Sequence, residues 1–380
     1  MLLYLDNAAT TRPDNRVLAL MAEIDRHCYG NDSAVHVMGV AAAKRVERAR
    51  LAIAACLAAD PDEIIFTSGG TEANNMALSG APAAAGPRKN HIIISAMEHA
   101  SVNNPALRLK AAGAALTLVK PGRNGIIDPA GIKKALRPAT ALVSVMHANN
   151  ETGAVQPIAE IGALCRARGV LFHSDACQSF TKTGLDVKEQ HLDLLTINSH
   201  KIHGPKGVGA LYIRKGLKLP SLLAGGGQER GLRPGTRNSS AIAGFGLAAE
   251  LAAPAQAKKV AALRDLFWAE LSGRLPGATL NCAAAPRLCG ILSVTLPWIP
   301  GAAALLQALS ARGVCLSAGS ACAAGKTTPS AALKAIGLSD AQALRTIRVS
   351  LSRFTTEKEI MLAVKEIAAL AGKGKGRHAR

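Results

Sequence analysis

Ala141-Leu-Val-Ser-Val-Met146, Val170-Leu-Phe-His173 and Leu192-Asp-Leu-Leu-Thr-Ile197 are three short, mostly apolar runs. Between the first two lies a helical stretch at 158–168. Short runs rich in Val, Ile and Leu read as strands buried on both faces, and helical crossovers between them make neighbours parallel. The alternation continues outward through Glu63-Ile-Ile-Phe-Thr67, His91-Ile-Ile-Ile-Ser95, 116–119 and 208–213. The pattern predicts an α/β protein with a large, mostly parallel seven-stranded sheet and right-handed crossovers. Around Gly225-Gly-Gly227 the alternation stops. One long Ala/Leu-rich helix is expected over 240–271. A smaller α+β group follows, closed by a helix over 357–371 that stops at Gly372. The expected division is a large domain over 13–255, a small domain made of 1–12 with 256–372, and a disordered basic tail at 373–380.

The composition narrows the function classes. Of 380 residues, 49% are apolar and 19% charged, so the chain buries a large core and is not disordered. Aromatics are only 3%, too few for base-stacking single-strand binders. The net charge of +19 is scattered except at the C-terminal end, so nucleic acid is not the expected partner. The eight cysteines form no C-x-x-C pair, which excludes zinc-ribbon and thioredoxin readings. The first residues carry no basic run, and Pro297, Pro300 and Gly301 break the one long uncharged stretch, 288–311, into a strand, a turn and a helix. The expectation is a cytoplasmic protein with reduced thiols and no membrane span.

Two phosphate motifs are decoys. Gly244-Phe-Gly-Leu-Ala-Ala249 has the dinucleotide spacing but no strong strand before it, and is expected to pack helices. Gly319-Ser-Ala-Cys-Ala-Ala-Gly-Lys-Thr327 has five residues between its glycines where a P-loop has four.

Three turns carry chemistry. Thr67-Ser-Gly-Gly-Thr-Glu72 follows a strand and opens a helix, as a phosphate-binding turn does. Asp175-Ala-Cys-Gln178 lies past a strand end, where the Asp either caps a helix or holds a protonated ring nitrogen. Asn198-Ser-His-Lys201 places a lysine at the mouth of the sheet, where partial burial lowers its pKa toward that of a nucleophilic amine. His200 and His203 make a poor zinc signal, and no metal is expected. Phosphate turn, ring-nitrogen carboxylate and amine, in that order on successive strands, describe a pyridoxal phosphate site.

With Tyr4-Leu-Asp-Asn-Ala-Ala-Thr-Thr11, Met97-Glu-His99, His147-Ala-Asn-Asn-Glu-Thr-Gly153, the loop 225–236, Gly319-Ser-Ala-Cys322 and Arg348-Val-Ser-Leu-Ser-Arg-Phe-Thr-Thr356, these turns resemble the cysteine desulfurases of the NifS/IscS class, over residues 4 to about 365. The resemblance implies a fold-type I pyridoxal phosphate enzyme, built like aspartate aminotransferase and working as a homodimer. It implies that Lys201 holds pyridoxal 5'-phosphate covalently and shuttles the substrate's α-proton. Asp175 would keep the ring nitrogen protonated, and Gln178 and Asn150 would bond the ring hydroxyl. His99 would stack on the ring and serve as acid and base. Gly70, Thr71, Asn198, Ser199, His200 and a partner subunit's Thr236 belong to the cofactor's surroundings. Arg348, helped by Asn7, would take the substrate carboxylate with its guanidinium fork. Cys322 would accept sulfur from L-cysteine as a persulfide and pass it to an acceptor protein, such as an iron–sulfur scaffold. Cys28, Cys56 and Cys165 read as small hydrophobes in helices, and Cys177 as pointing away from the cofactor.

The chain departs from the family's pattern in places. Asn198 stands where Ser is usual, Asp32 where Pro is usual, and Ser352 where Gly is usual, the last expected to tighten the pocket near Arg348. Lys326-Thr-Thr-Pro-Ser330 replaces a more acidic stretch, and the tail lacks the end by which IscS-type members hold the scaffold. The acceptor therefore stays open. The rival readings are a selenocysteine lyase, another fold-type I enzyme such as an aminotransferase, and a degenerate, inactive partner protein.

Overall fold

A computed structural model describes residues 2–319 and 328–372. Twelve strands are described: β1 (Leu3–Tyr4), β2 (Ile64–Thr67), β3 (His91–Ser95), β4 (Ala115–Val119), β5 (Thr140–Ser144), β6 (Leu171–Asp175), β7 (Leu194–Asn198), β8 (Gly209–Ile213), β9 (Thr279–Leu280), β10 (Ile291–Thr295), β11 (Val314–Cys315) and β12 (Thr346–Ser350). Seven form one sheet in the order β2-β8-β7-β6-β5-β3-β4. All its pairings are parallel except those of β8, which runs against β2 and β7. The sequence pattern thus located all seven strands, with ends displaced by one or two residues.

The side-chain period of two divides these strands between two cores. In β3, Ile93 packs on one face with Phe172, Phe180 and Phe245, while Ile92 and Ile94 pack on the other with Met76, Leu142 and Leu211. All three isoleucines are at most 1% exposed. Burial of each contributes roughly 1.5–3 kcal/mol.

A third core lies beyond. β12, β10 and β9 form an antiparallel sheet, covered by the helices Pro254–Arg274 and Glu357–Ala371. Leu3 and Leu5 belong to this core, because β1 pairs in parallel with β11 and Asp6 bridges to Ser350.

The expected helix over 240–271 is two helices, Ser239–Glu250 and Pro254–Arg274. Proline pushes the preceding residue out of helical geometry, and Ala253 is extended at φ −102° and ψ 142°. The decoy glycines pack helices, as expected: a Cβ on Gly246 would lie 2.5 Å from Ala49 Cα. Residues 288–311 contain β10, a turn and the helix Ala302–Ala311. Among the described residues no helix is long and apolar enough to cross a membrane. Cys165 is fully buried, whereas Cys28 and Cys56 sit half-buried at helix C-caps. Cys322, most of the second decoy and the basic tail lie outside the described residues.

Candidate active site

β2, β3, β5, β6 and β7 lead at their carboxyl ends into turns that carry polar side chains. Ligands of open parallel sheets sit at that edge. A cleft of about 260 Å³ opens there. Its walls take Gly70 and Thr71 from the turn after β2, His99 from that after β3, and Asn150 from that after β5. Asp175, Cys177 and Gln178 come from the end of β6, and Asn198, His200 and Lys201 from the end of β7. Arg348 reaches in from β12.

Lys201 Nζ donates to the Ala8 carbonyl. Burial, followed by the charges of Lys182 and Arg348, brings its pKa down to about 8. Such an amine is a competent nucleophile near neutral pH. Asp175 is buried and fixed from two sides. Its Oδ2 accepts from Asn74 Nδ2 at 2.7 Å, and its Oδ1 accepts from the Cys177 N–H at 2.9 Å. The same Asn74 amide donates to Ser101 Oγ at 2.8 Å. Ser101 in turn orients His99, whose Nδ1 accepts the Ser101 backbone N–H at 3.1 Å. A backbone N–H only donates, so a neutral His99 carries its proton on Nε2.

The helix Gly70–Ala85 points its N-terminus at the cleft, and its free N–H groups and dipole favour an anion. Gly69 at φ +154° makes the entry turn possible. His200 is held neutral: burial, then Lys201, Lys182 and Lys206, lowers its pKa to about 4. Its Nδ1 contacts Thr10 Oγ1 at 3.1 Å and its Nε2 contacts Asn198 Nδ2 at 3.3 Å. Gln178 donates from Nε2 to the Ala8 carbonyl at 2.8 Å.

Arg348 is 1% exposed. Its Nη2 pairs with Asp6 Oδ1 at 2.8 Å, and its Nη1 donates to the Asn150 carbonyl at 3.0 Å. Buried polar atoms without a partner among the described residues cluster here: Arg348 Nε, Asn198 Oδ1, Gln178 Oε1 and Asn74 Oδ1. Such atoms ordinarily carry a hydrogen bond.

Some expected residues lie elsewhere. Ser199 faces the tight turn to Gly204, where a Cβ would meet its Oγ at 2.0 Å. Thr236, expected to serve a partner subunit's site, is exposed and lies outside this chain's own cleft. Asn7 donates from Nδ2 to the Ser350 and Tyr4 carbonyls, at 2.9 and 3.3 Å, and does not line the cleft. Ser352 lies beyond the end of β12 and also misses it, so it does not tighten the pocket as expected. Cys177 corrects the sequence reading in the other direction, since it does line the cleft. Its Sγ occupies space a Cβ on Gly70 would need, 2.6 Å away. Burial, then the Asp175 charge, keeps its thiol protonated.

Sequence reasoning missed Asn74, Ser101 and Asp6. Asn74 stands four residues after Gly70, one turn along the same helix face, and that spacing was a usable signal.

Comparison with known proteins agrees with this geometry. The aminotransferase class-V family model matches residues 3–362. The mitochondrial cysteine desulfurase of Eremothecium gossypii is 45% identical over 370 residues, covering 96% of this chain and 75% of that protein. Among solved structures, a NifS-like protein aligns with a TM-score of 0.90 at 34% identity, over 98% of this chain and 100% of the other. A structure described as SspA in complex with cysteine aligns with a TM-score of 0.83 at 36% identity, over 93% and 99%. A whole-length family match and such identity across nearly the whole chain place the protein in the aminotransferase class-V family, among its cysteine desulfurases.

Proposed function

We propose that this protein is a pyridoxal phosphate-dependent cysteine desulfurase, converting L-cysteine to L-alanine and leaving the sulfur as a persulfide on Cys322. The observation that carries the reading is Lys201: a half-buried amine brought down to about 8, in one cleft with Asp175 and Arg348. The residues fit the cofactor. The helix N-terminus at Gly70 and Thr71 with neutral His200 suits its phosphate, and the anchored Asp175 carboxylate suits its ring nitrogen. The unpartnered Gln178 Oε1 and the Asn150 side chain suit a ring hydroxyl. When bound, the cofactor supplies an electron sink for charge developing at the substrate's α-carbon.

The chain's own groups do the rest. Arg348 binds the substrate carboxylate, its unpartnered Nε offering one prong of a bidentate fork. Lys201 moves the α-proton, and His99 holds a proton at Nε2 over the cleft. Cys322 attacks the substrate sulfur as thiolate, so that an S–S bond forms while the C–S bond breaks. L-cysteine plus enzyme thiol gives L-alanine plus enzyme persulfide, which balances without an outside oxidant. Ser317, five residues before Cys322 in the sequence, exchanges backbone hydrogen bonds with Arg348 at 2.7 and 3.3 Å.

The active unit is a homodimer in which the partner subunit's Thr236 completes the phosphate site, the large domain spanning 13–255 and the small one 1–12 with 256–372. All seven cysteines among the described residues are free, which suits a reducing cytoplasm and a thiol-bearing acceptor protein.

The test uses two variants. Lys201→Ala should lose alanine production and all borohydride-trapped cofactor. Cys322→Ser should still bind cofactor and L-cysteine but form no cyanolysable sulfur. Wild-type persulfide on Cys322→Ser would transfer the acceptor role to another cysteine. Selenocysteine turned over with cysteine rejected would favour the lyase reading.

A further inference from the structure

A second, partly open cavity of about 70 Å³ lies beside the cleft, lined from both the large-sheet and the small-sheet sides. Lys201 and Gln178 line both spaces. The large-sheet side contributes Lys182, and the small-sheet side contributes Ser352 and Arg353. No Asp or Glu among the described residues lines it. The Lys182 backbone N–H donates to the Ser179 carbonyl at 2.8 Å, but its ammonium has no hydrogen-bond or ion-pair partner among the described residues. Arg353 is 9% exposed; its Nη2 pairs with Asp14 at 2.6 Å, but its Nε is buried and unpartnered. Ser352 Oγ accepts the Phe354 N–H at 3.2 Å, which leaves its own hydrogen free to donate. His203, the remaining titratable base on the wall, is held neutral by burial at a pKa of about 4. The same lining includes the apolar Ala252, Ala257, Val260 and Leu351.

A cation without a counter-ion is costly, and among the described residues the Lys182 ammonium has none, whereas Arg353 is paired with Asp14 and offers only its Nε. We infer that this cavity is a binding site for a small aliphatic monocarboxylate, its carboxylate held by Lys182, the Ser352 hydroxyl and Arg353 Nε, its short chain against the apolar lining. The size argues the same way. One water needs about 10–15 Å³ on this measure, so the cavity accommodates about five non-hydrogen atoms, the size of propionate. The position of Ser352, where the resembled family has glycine, gives this chain a donor of its own at the site.

The test is calorimetric titration of propionate into the cofactor-loaded, full-length protein, with the cleft saturated by L-alanine. One saturable site per chain is expected, with a Kd on the order of 1 mM, reasonable for so few atoms. Lys182→Met should weaken it at least tenfold, and Ala257→Leu, which fills the cavity without touching the cleft, should abolish it. Melting curves check that both variants fold. Absence of saturation, displacement by L-alanine, equal heats from chloride, or unchanged binding in two folded variants would each overturn the inference.

Discussion

Glu98 shows how much the cleft depends on groups just behind it. Its Oε1 accepts from Ser95 Oγ at 2.5 Å and from the Met146 N–H at 2.7 Å, while Oε2 is buried without a partner. Burial raises its pKa to about 8. An unfolded glutamate ionises near 4.5, so between these values the folded chain binds the extra proton. That contribution to stability is full below about pH 4.5 and is lost as pH rises to 8. Glu98→Gln should therefore flatten the stability-versus-pH curve over this window, read by denaturant melts of both proteins across it. Asn74 makes a second case. Removing its amide in Asn74→Ala frees the Asp175 carboxylate and unlinks it from Ser101 and His99. Cofactor affinity, measured by equilibrium dialysis, should fall about tenfold, as expected for a lost hydrogen bond to a buried charge. Unchanged affinity would mean the Cys177 N–H suffices.

At the scale of elements, helix contacts set by glycine are the most exposed to test. Gly246 lets the helix Ser239–Glu250 lie directly on Ala49. Gly246→Val should cost roughly 1–3 kcal/mol by overpacking, with the cleft's residues in place; a chemical denaturation curve reads it. The strands were legible because uninterrupted Ile, Val and Leu runs have few other uses, and the three chemical turns because each follows such a run. The helix break at 251–253 was missed because Ala and Leu run through it, and apolar continuity outweighed Pro254. The antiparallel course of β8 was not legible either, since a buried central strand looks the same in both directions. Side-chain direction failed for Ser199 and Cys177 because neighbours in a tight turn face different ways, and no periodicity governs them.

Across the whole molecule, the loop that carries Thr236 is fastened by charge. Glu229, its side chain fully buried, takes both Arg50 amino groups at 2.8 and 2.9 Å, the Phe66 N–H at 2.8 Å and Arg237 at 3.2 Å. Arg237 also holds Asp32, the residue replacing proline, at 2.5 Å, and Arg233 ties the loop to Glu72 beside the phosphate turn at 3.0 Å. Breaking such a cluster strands a buried charge, so Glu229→Ala should cost about 3–5 kcal/mol. Truncation after Gly372, by contrast, should leave turnover with a small thiol unchanged, because every side chain lining the described cleft precedes it in the chain. The segment from β1 to Thr11 has the widest reach. It pairs with β11, gives Asp6 to Arg348, and lends the Ala8 carbonyl to Lys201 and Gln178. Asp6 and Arg348 are 342 residues apart in the chain. A ribosome adding about 5–20 residues per second needs roughly twenty seconds to a minute to travel that distance. The strap is made well before the elements it pairs with, and until β11 and β12 are made Leu3 and Leu5 wait without their core. A chaperone that shields this strap would act on the protein during that interval, before the strap's apolar side chains have a core to enter.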